Sequence, residues 1–480
     1  MAGRPVIKFG TSGWRGRIAE DFTFAGVRLV AQAIATHLRR SEKELVGKGV
    51  IVGWDTRFMG ELFAEAAGEV LAGNNIPVLF CPGPTATPVL SHAVIKGGLA
   101  GALNITASHN PFTWSGIKFT PSWGGPALPE ATKDIEAAAA ESGEIAQMPR
   151  REAERKRLWR RVEPSAAYLE DLGKIVRLEV LRGSPHDVAV DLFHGTGRGL
   201  LDAALEGAGW RVRVFGGDPD PYFGHVRPDP SGEAIEPFAR LVGSEPFSLG
   251  LATDPDADRF GVVDADGTIF YPNEILALLL DYLAESRGWR GGAICRSVAT
   301  THLLDRVARH HGLAVIETPV GFKYVGELLS QGKIVFGGEE SGGLTVAGHL
   351  PEKDGVAACL LVAEMVAGRG MSLNGMSLKE MLAEVFRKVG PVYSRRRDLD
   401  LSAAEAAALR DRLGQVTGRL AGKRIEAIVR IDGYKYLLEG SAWLLLRPSG
   451  TEPVVRVYAE AQSPGEVEEL LQAATGLLAG

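Results

Sequence analysis

Gly49-Val50-Ile51-Val52-Gly53-Trp54, then Val78-Leu79-Phe80, then Leu99-Ala100-Gly101-Ala102-Leu103-Asn104-Ile105 are short apolar runs, the first two separated by the amphipathic stretch Glu61 to Ala72. Short apolar runs rich in β-branched residues read as buried strands, and a helix-period stretch between them reads as a crossover, so residues 48–108 spell βαβαβ. The same grammar returns at Asp187 to Leu192, Leu200 to Ala208 and Arg211 to Phe215, and again at Gly292 to Val298, Thr301 to His311 and Ala314 to Glu317. Repetition of this kind predicts an α/β fold of three similar domains, with strands buried on both faces. From about residue 387 the rhythm breaks. An alanine-rich helical segment (Ser402 to Gln415) precedes strands at Ile425 to Ile431, Trp443 to Arg447 and Val454 to Glu460, and Pro464 opens a last helix, which predicts a smaller α+β domain. The expected boundaries are 1–164, 165–269, 270–386 and 387–480. The arginine- and glutamate-rich segment Arg150 to Arg161 reads as a solvated linker helix at the first of them.

Composition narrows the class. A chain of 480 residues has room for three or four domains, and 45% hydrophobic with 23% charged residues is an ordinary globular balance. The net charge of −6 does not suggest a nucleic-acid partner. Cys81, Cys295 and Cys359 are too scattered for a disulfide framework or a thiolate zinc site. No secretory signal and no membrane-length apolar run is visible, so the expected location is cytoplasmic, with no membrane partner.

The chemistry collects in four motifs. Thr106-Ala107-Ser108-His109-Asn110-Pro111 follows an apolar run, where ligands bind in α/β domains, yet it lacks the glycine-flanked elbow of a hydrolase. Asp254-Pro255-Asp256-Ala257-Asp258-Arg259 places carboxylates at alternate positions, a natural set for a hard divalent cation such as Mg²⁺. It is not an EF-hand, whose sixth and twelfth positions would be glycine and glutamate rather than Arg259 and Ala265. In Arg447-Pro448-Ser449-Gly450-Thr451-Glu452-Pro453 an arginine fork, two hydroxyls and a glycine outline an anion pocket. Gly337-Gly338-Glu339-Glu340-Ser341-Gly342-Gly343 reads by itself as a glycine-rich turn, within which a carboxylate could accept from vicinal sugar hydroxyls. A fifth stretch, Gly195-Thr196-Gly197-Arg198-Gly199, follows a strand but has the wrong glycine spacing for a dinucleotide site.

These motifs, in this order and on successive domains, together with Thr11-Ser12-Gly13-Trp14-Arg15-Gly16, resemble the α-D-phosphohexomutase superfamily along the whole chain. The resemblance implies three α/β domains and a smaller fourth around a central cleft. It implies that Ser108 carries a phosphoryl group, that Asp254, Asp256 and Asp258 hold Mg²⁺ against it, and that Arg15 and Lys118 lie near the transferring group. Arg259 would offset charge, Glu339 and Ser341 would contact sugar hydroxyls, and Arg447, Ser449, Gly450 and Thr451 would hold the other phosphate. Lys118 or His109 would move the hydroxyl proton. The family's Asn-Gly-Ile-Lys is Ser115-Gly116-Ile117-Lys118 here, so the lysine is kept and the asparagine is not. Thr318-Pro319-Val320-Gly321-Phe322-Lys323 resembles the glucose-type branch, with Gly321 and Lys323 at the substrate. The expectation is a phosphoglucomutase working through glucose 1,6-bisphosphate on hexose phosphates, as a monomer or small homo-oligomer. Phosphomannomutase or dual specificity is the alternative, with a nucleotide-dependent oxidoreductase or a non-catalytic binding protein more distant.

Overall fold

The computed structural model describes residues 7–10, 12–370, 376–400, 413–414, 416–448 and 454–479. Each of the first three domains has its own sheet. The first runs Trp14–Arg17, Trp114–Pro121, Gly101–Ile105, Val50–Trp54, Val78–Phe80 and Trp159–Arg161 in spatial order. The second runs Ile269–Phe270, Phe260–Asp264, Leu249–Thr253, Asp187–Asp191 and Arg211–Phe215, and the third Ala314–Thr318, Ala293–Ser297, Phe336–Glu339 and Gly343–Val346. Their central parallel strands are covered throughout, as in Val50–Trp54, Gly101–Ile105, Leu249–Thr253 and Ala293–Ser297, while the parallel edge strands Arg211–Phe215 and Ala314–Thr318 are partly exposed.

The sheets are mixed rather than wholly parallel. In each, one parallel strand turns back into an antiparallel neighbour: Gly101–Ile105 into Trp114–Pro121, Leu249–Thr253 into Phe260–Asp264, and Phe336–Glu339 into Gly343–Val346. The βαβ reading did not contain these return strands. They matter because the serine, aspartate and glutamate motifs are the three connections, so the repeat delivers one chemical loop per domain from an equivalent place. The glutamate motif is accordingly a tight hairpin rather than a loose glycine turn; a Cβ on Gly338 would fall 2.5 Å from a methyl of Leu276, and one on Gly337 would strike Val325.

A second correction concerns Arg150 to Arg161. Only Arg150–Arg155 is helical; Trp159–Arg161 is an edge strand parallel to Val78–Phe80, and buried Trp159 packs on Phe80. The indole anchors the segment to the first domain's core, which a charge pattern does not reveal.

The helix Gly355–Gly368 is apolar on every side, with only Glu364 charged after Asp354, and a helix of that kind is a buried one. It joins the second and third domains in one continuous core that includes Leu251, Phe260, Leu361 and Leu279. Glu364 is neutralised by Arg287 at 2.7 Å and accepts from Tyr282 Oη at 3.0 Å. The fourth domain is an antiparallel sheet ordered Tyr393–Asp400, Val454–Ala461, Ala442–Pro448, Tyr434–Leu438, Lys423–Val429 and Arg419–Leu420, backed by the helix Pro464–Ala479. It has a separate core, and touches the third domain where Trp443, Leu445 and Tyr458 meet Val298 and Ala299. Nearly all of the expected alanine-rich helix lies outside the described residues. No described helix is long and apolar enough to cross a membrane.

Candidate active site

Ser108 is reached by a backbone that has been forced. Its φ of +52° is in the left-handed region that a non-glycine residue enters at a cost of roughly 1 kcal/mol or more. Local bonds hold it there: Ser108 N donates to Thr106 Oγ1 at 2.9 Å, and Asn110 N to the Ala107 carbonyl at 3.1 Å. Arg57 then binds the loop from behind, donating to the carbonyl oxygens of Ser108, Asn110, Pro111 and Trp114. Asp55 steadies Arg57 at 3.1 Å and accepts from Thr106 Oγ1 at 2.6 Å. Burial pushes the Asp55 carboxyl up and the Arg57 guanidinium down, so the pair is structural and dry. Neither residue was singled out from sequence; the signal was Asp55-Thr56-Arg57 directly after a buried strand, the position from which α/β domains present polar groups.

The aspartate loop faces the serine from the second domain. Ser108 Oγ donates to Asp254 Oδ2 at 2.6 Å, and is 1% exposed. The other oxygen of Asp254 accepts the amides of Asp258 and Arg259, which curls the loop around its first carboxylate. Lys118, brought in by the return strand opposite Asn104, donates to Asp256 and Asp258, each at 2.5 Å. Lys353 stands 3.2 Å from Asp258. Thr87, at the start of the first-domain helix Thr87–Gly97, bonds Asp256 through both its amide and its hydroxyl. The helix Gly355–Gly368 starts against the loop as well: Gly355 N donates to the Ala257 carbonyl at 3.0 Å, and a Cβ on Gly355 would collide with the Arg259 carbonyl oxygen. Lys353, Thr87 and Gly355 went unseen in the sequence because their relevance is purely spatial.

Electrostatics distinguishes the carboxylates. Burial, then the charges of Asp256 and Asp258, drive Asp254 well above the usual carboxylate range. Asp258 is held below it, because Lys118 and Lys353 overcome its burial. Burial works to lower Lys118, but Asp256 and Asp258 reverse the sign and keep it charged. Burial, with Arg259 and Arg15 nearby, forces His109 well down, so its imidazole stays neutral, with Nδ1 3.3 Å from Ser108 Oγ.

Whether these residues suit a metal ion can be read from unused valences. Asp254, Asp256 and Asp258 offer oxygens within 4.8 Å of one another, and Oδ1 of both Asp256 and Asp258 is buried without a hydrogen-bond partner. Such orphaned oxygens are expensive unless a cation takes them. The other acidic group among the described residues, Asp281, Glu285 and His311, differs: its oxygens are already taken by His311, Lys388 and Arg369.

Around this centre stand cations that form no ion pair among the described residues. Arg15 donates to Asn110 Oδ1 at 2.7 Å and makes no ion pair among the described residues. Arg259 makes none either, and its buried Nε is unpartnered. Lys323, half-buried and pushed down by that burial, lies over the Tyr324 ring. Glu339 is buried and accepts from Gly321 N at 2.7 Å; burial and the charge of Glu340 push it up to about 7. Ser341 sits half-buried in the hairpin and makes no hydrogen bond among the described residues. Arg447 leaves the fourth domain paired with Asp432 at 2.8 Å. Ser449, Gly450 and Thr451 lie outside the described residues. Ser115, where the family has asparagine, is buried with its hydroxyl unpartnered, and Gly116 beside it is wedged between the carbonyls of Thr106 and Trp14. The Gly195 loop supports the aspartates: Thr196 donates twice to the Pro255 carbonyl, and a Cβ on Gly195 would fall 2.5 Å from Pro255 Cα. Gly195 and Gly197 serve close packing, while Gly199 has open space beside it and a φ of +75°.

Comparison with known proteins agrees with this architecture. Models of the phosphoglucomutase/phosphomannomutase family match as α/β/α domain I over residues 6–146, domain II over 166–267, domain III over 271–389 and the C-terminal domain over 392–476. A phosphoglucomutase from Komagataeibacter xylinus is 31% identical, over 95% of this chain and 87% of that protein. A "Probable phosphoglucosamine mutase" from Methanothermobacter thermautotrophicus is 30% identical, over 98% of this chain and 97% of its own length. A solved structure described as a "putative phosphomannomutase" from Thermus thermophilus superposes with a TM-score of 0.84 at 36% identity, covering 99% of both chains. With four family models in series and relatives matched from end to end, the chain belongs to the phosphoglucomutase/phosphomannomutase family of phosphohexomutases, isomerases that transfer phosphate within a sugar.

Proposed function

We propose that the protein interconverts glucose 1-phosphate and glucose 6-phosphate through a phosphoserine at Ser108 and a glucose 1,6-bisphosphate intermediate. The observation that carries this reading is the 2.6 Å contact of Ser108 Oγ with Asp254, which seats a buried hydroxyl directly on the acidic trio. Asp254, Asp256 and Asp258, with an oxygen of the phosphoserine, would hold Mg²⁺, which when bound supplies charge neutralisation on the transferring phosphoryl group.

The chain's own residues do the rest. The free hydroxyl of the bound sugar attacks phosphorus, its O–P bond forms as the P–Oγ bond to Ser108 breaks, and the electron pair of that bond stays on Oγ. Lys118 or His109, both beside the reacting centre, takes the hydroxyl proton, and the other steadies the negative end of the reaction. Arg15 and Arg259, which form no ion pair among the described residues, face the phosphoryl oxygens. Glu339 accepts from sugar hydroxyls while Arg447, Ser449, Gly450 and Thr451 hold the phosphate that is not moving, and Gly321 and Lys323 complete the sugar end. The bisphosphate then reverses, and its other phosphate returns to Ser108. Positioning and charge compensation suffice for a reaction of this type.

Support for glucose comes from the Komagataeibacter relative and from the Thr318 to Lys323 segment. The test compares glucose, mannose and glucosamine 1-phosphates, each with Mg²⁺ and a trace of the matching bisphosphate, alongside mass spectrometry of Ser108. Glucose is expected to turn over fastest, with loss of turnover on chelation. A faster mannose or glucosamine reaction would overturn the substrate, and an unmodified Ser108 in a turning-over enzyme would overturn the mechanism.

A further inference from the structure

Asp432 is a residue that neither the motifs nor the reaction above required. It lies in the turn between Lys423–Val429 and Tyr434–Leu438. The next residue, Gly433, has a φ of +89°, and a Cβ there would meet the Leu446 carbonyl oxygen at 2.6 Å. Only glycine lets the turn press this closely on the strand that carries Arg447.

One oxygen of Asp432 has two partners in two domains. Its Oδ2 accepts from Arg447 Nε at 2.8 Å, within the fourth domain, and from Val320 N at 3.1 Å, in the third. The following amide, Gly321 N, donates to Glu339 Oε1 at 2.7 Å. A continuous chain of bonds therefore runs from Arg447 through Asp432 and the Val320–Gly321 segment to Glu339. With Nε engaged, the guanidinium plane is set and the fork left for a phosphate is its Nη1–Nη2 face.

We infer that Asp432 is a positioning residue that fastens the phosphate grip of the fourth domain to the sugar-reading segment of the third, so that Arg447 and Glu339 are aligned together. This rests on the proposed reading of Arg447 as a ligand of the non-transferring phosphate. The bland alternative is a rim ion pair: the Asp432 and Arg447 side chains are 25% and 15% exposed, and pairs near solvent contribute little to stability. The alternative predicts no kinetic consequence.

The experiment is steady-state kinetics on the full-length enzyme with glucose and mannose 1-phosphates, for Asp432→Ala, Asp432→Asn, Arg447→Ala, Arg447→Lys and the double variant Asp432→Ala/Arg447→Lys, with melting temperatures for each. Asp432→Ala is expected to raise KM about tenfold, the loss of one charge-assisted bond, with kcat within about threefold. Asp432→Asn, which keeps an acceptor, should recover much of it, and in Asp432→Ala the glucose-to-mannose ratio should shift because Val320, next to the Gly321 that bonds Glu339, loses its anchor. Since lysine has no Nε, Asp432→Ala should add less than about twofold on the Arg447→Lys background. An unchanged KM in Asp432→Ala beside a raised KM in Arg447→Ala overturns the inference and leaves the phosphate reading standing. Unchanged KM in Arg447→Ala overturns the phosphate reading and the inference with it. Full additivity in the double variant, or a lowered melting temperature with KM unchanged, shows that Asp432 does not act through Arg447 and also overturns it.

Discussion

The loop around Ser108 and the segment around Arg447 both serve phosphate in the proposed reaction, yet they are built differently. Ser108 is 1% exposed, its loop carbonyls are locked by a fully covered arginine, and its hydroxyl is aimed at a carboxylate of another domain. Arg447 is partly open, projects from a small domain with a separate core, and is held by one carboxylate in a turn. A group that exchanges phosphorus needs near-contact alignment, and small misplacement there is costly in rate. A group that only grips must release the sugar so that it can turn over, which favours looser construction. Rigidity is placed where bonds change.

Four experiments would break or sharpen that contrast. The largest effect is expected for Ser108→Ala: turnover should fall by about 10⁴-fold or more, with calorimetric binding of glucose 1-phosphate within about twofold. Next comes Arg57→Met, which leaves the buried Asp55 carboxyl without its counter-charge; urea denaturation should show a loss of about 3–5 kcal/mol, against roughly 0–1 kcal/mol for Asp432→Ala at the looser end. Equal losses would remove the distinction between the two regions. Third, Arg447→Ala is expected to raise KM about ten- to a hundredfold while kcat stays within about threefold, the mark of uniform binding; a fall in kcat alone would make Arg447 part of the transfer chemistry.

The smallest effect is one of pH. Glu339 is pushed up to about 7 from an ordinary 4.5, so the folded protein holds this proton more tightly than the unfolded chain does. Any stability attached to the protonated form is complete below 4.5 and is lost as pH rises through about 7. Glu339→Gln should therefore leave the melting temperature near wild type at pH 4.5 and raise it at pH 8, while weakening activity at both. In the wild type, the ionised form that accepts sugar hydroxyls grows through about pH 7, and that limb of the rate profile should be absent in the variant.

Periodicity was sufficient for the repeated α/β blocks, because strands such as Val50–Trp54 and Leu249–Thr253 are unbroken apolar runs, and the four motifs stood at or near their ends. The return strand Trp114–Pro121 was invisible for the opposite reason: it mixes serine, lysine and threonine, since it carries the lysine that faces the aspartates. Trp159–Arg161 hid inside a charged segment whose single indole does the anchoring. Chemical residue types could be read locally, so Ser108, Asp254, Asp256, Asp258 and Glu339 were within reach and stand where three sheets present them. Arg57, Lys353, Thr87 and Asp432 are defined by partners between 51 and 169 positions away, and one sequence does not display such pairings.

Thr87 gives the construction a modular consequence. By chain, the aspartates belong to the second domain; by contact, Asp256 is bonded to the first through Thr87 and Lys118, and its loop is covered by the third through Gly355. A chimera that exchanged only residues 187–270 with a distant relative would transplant three carboxylates but not the groups that aim and neutralise them. The unit that can be inherited intact, or swapped intact in the laboratory, is the three-domain block, and a fourth domain exchanged onto it would have to keep the partners of Val298, Ala299 and Val320.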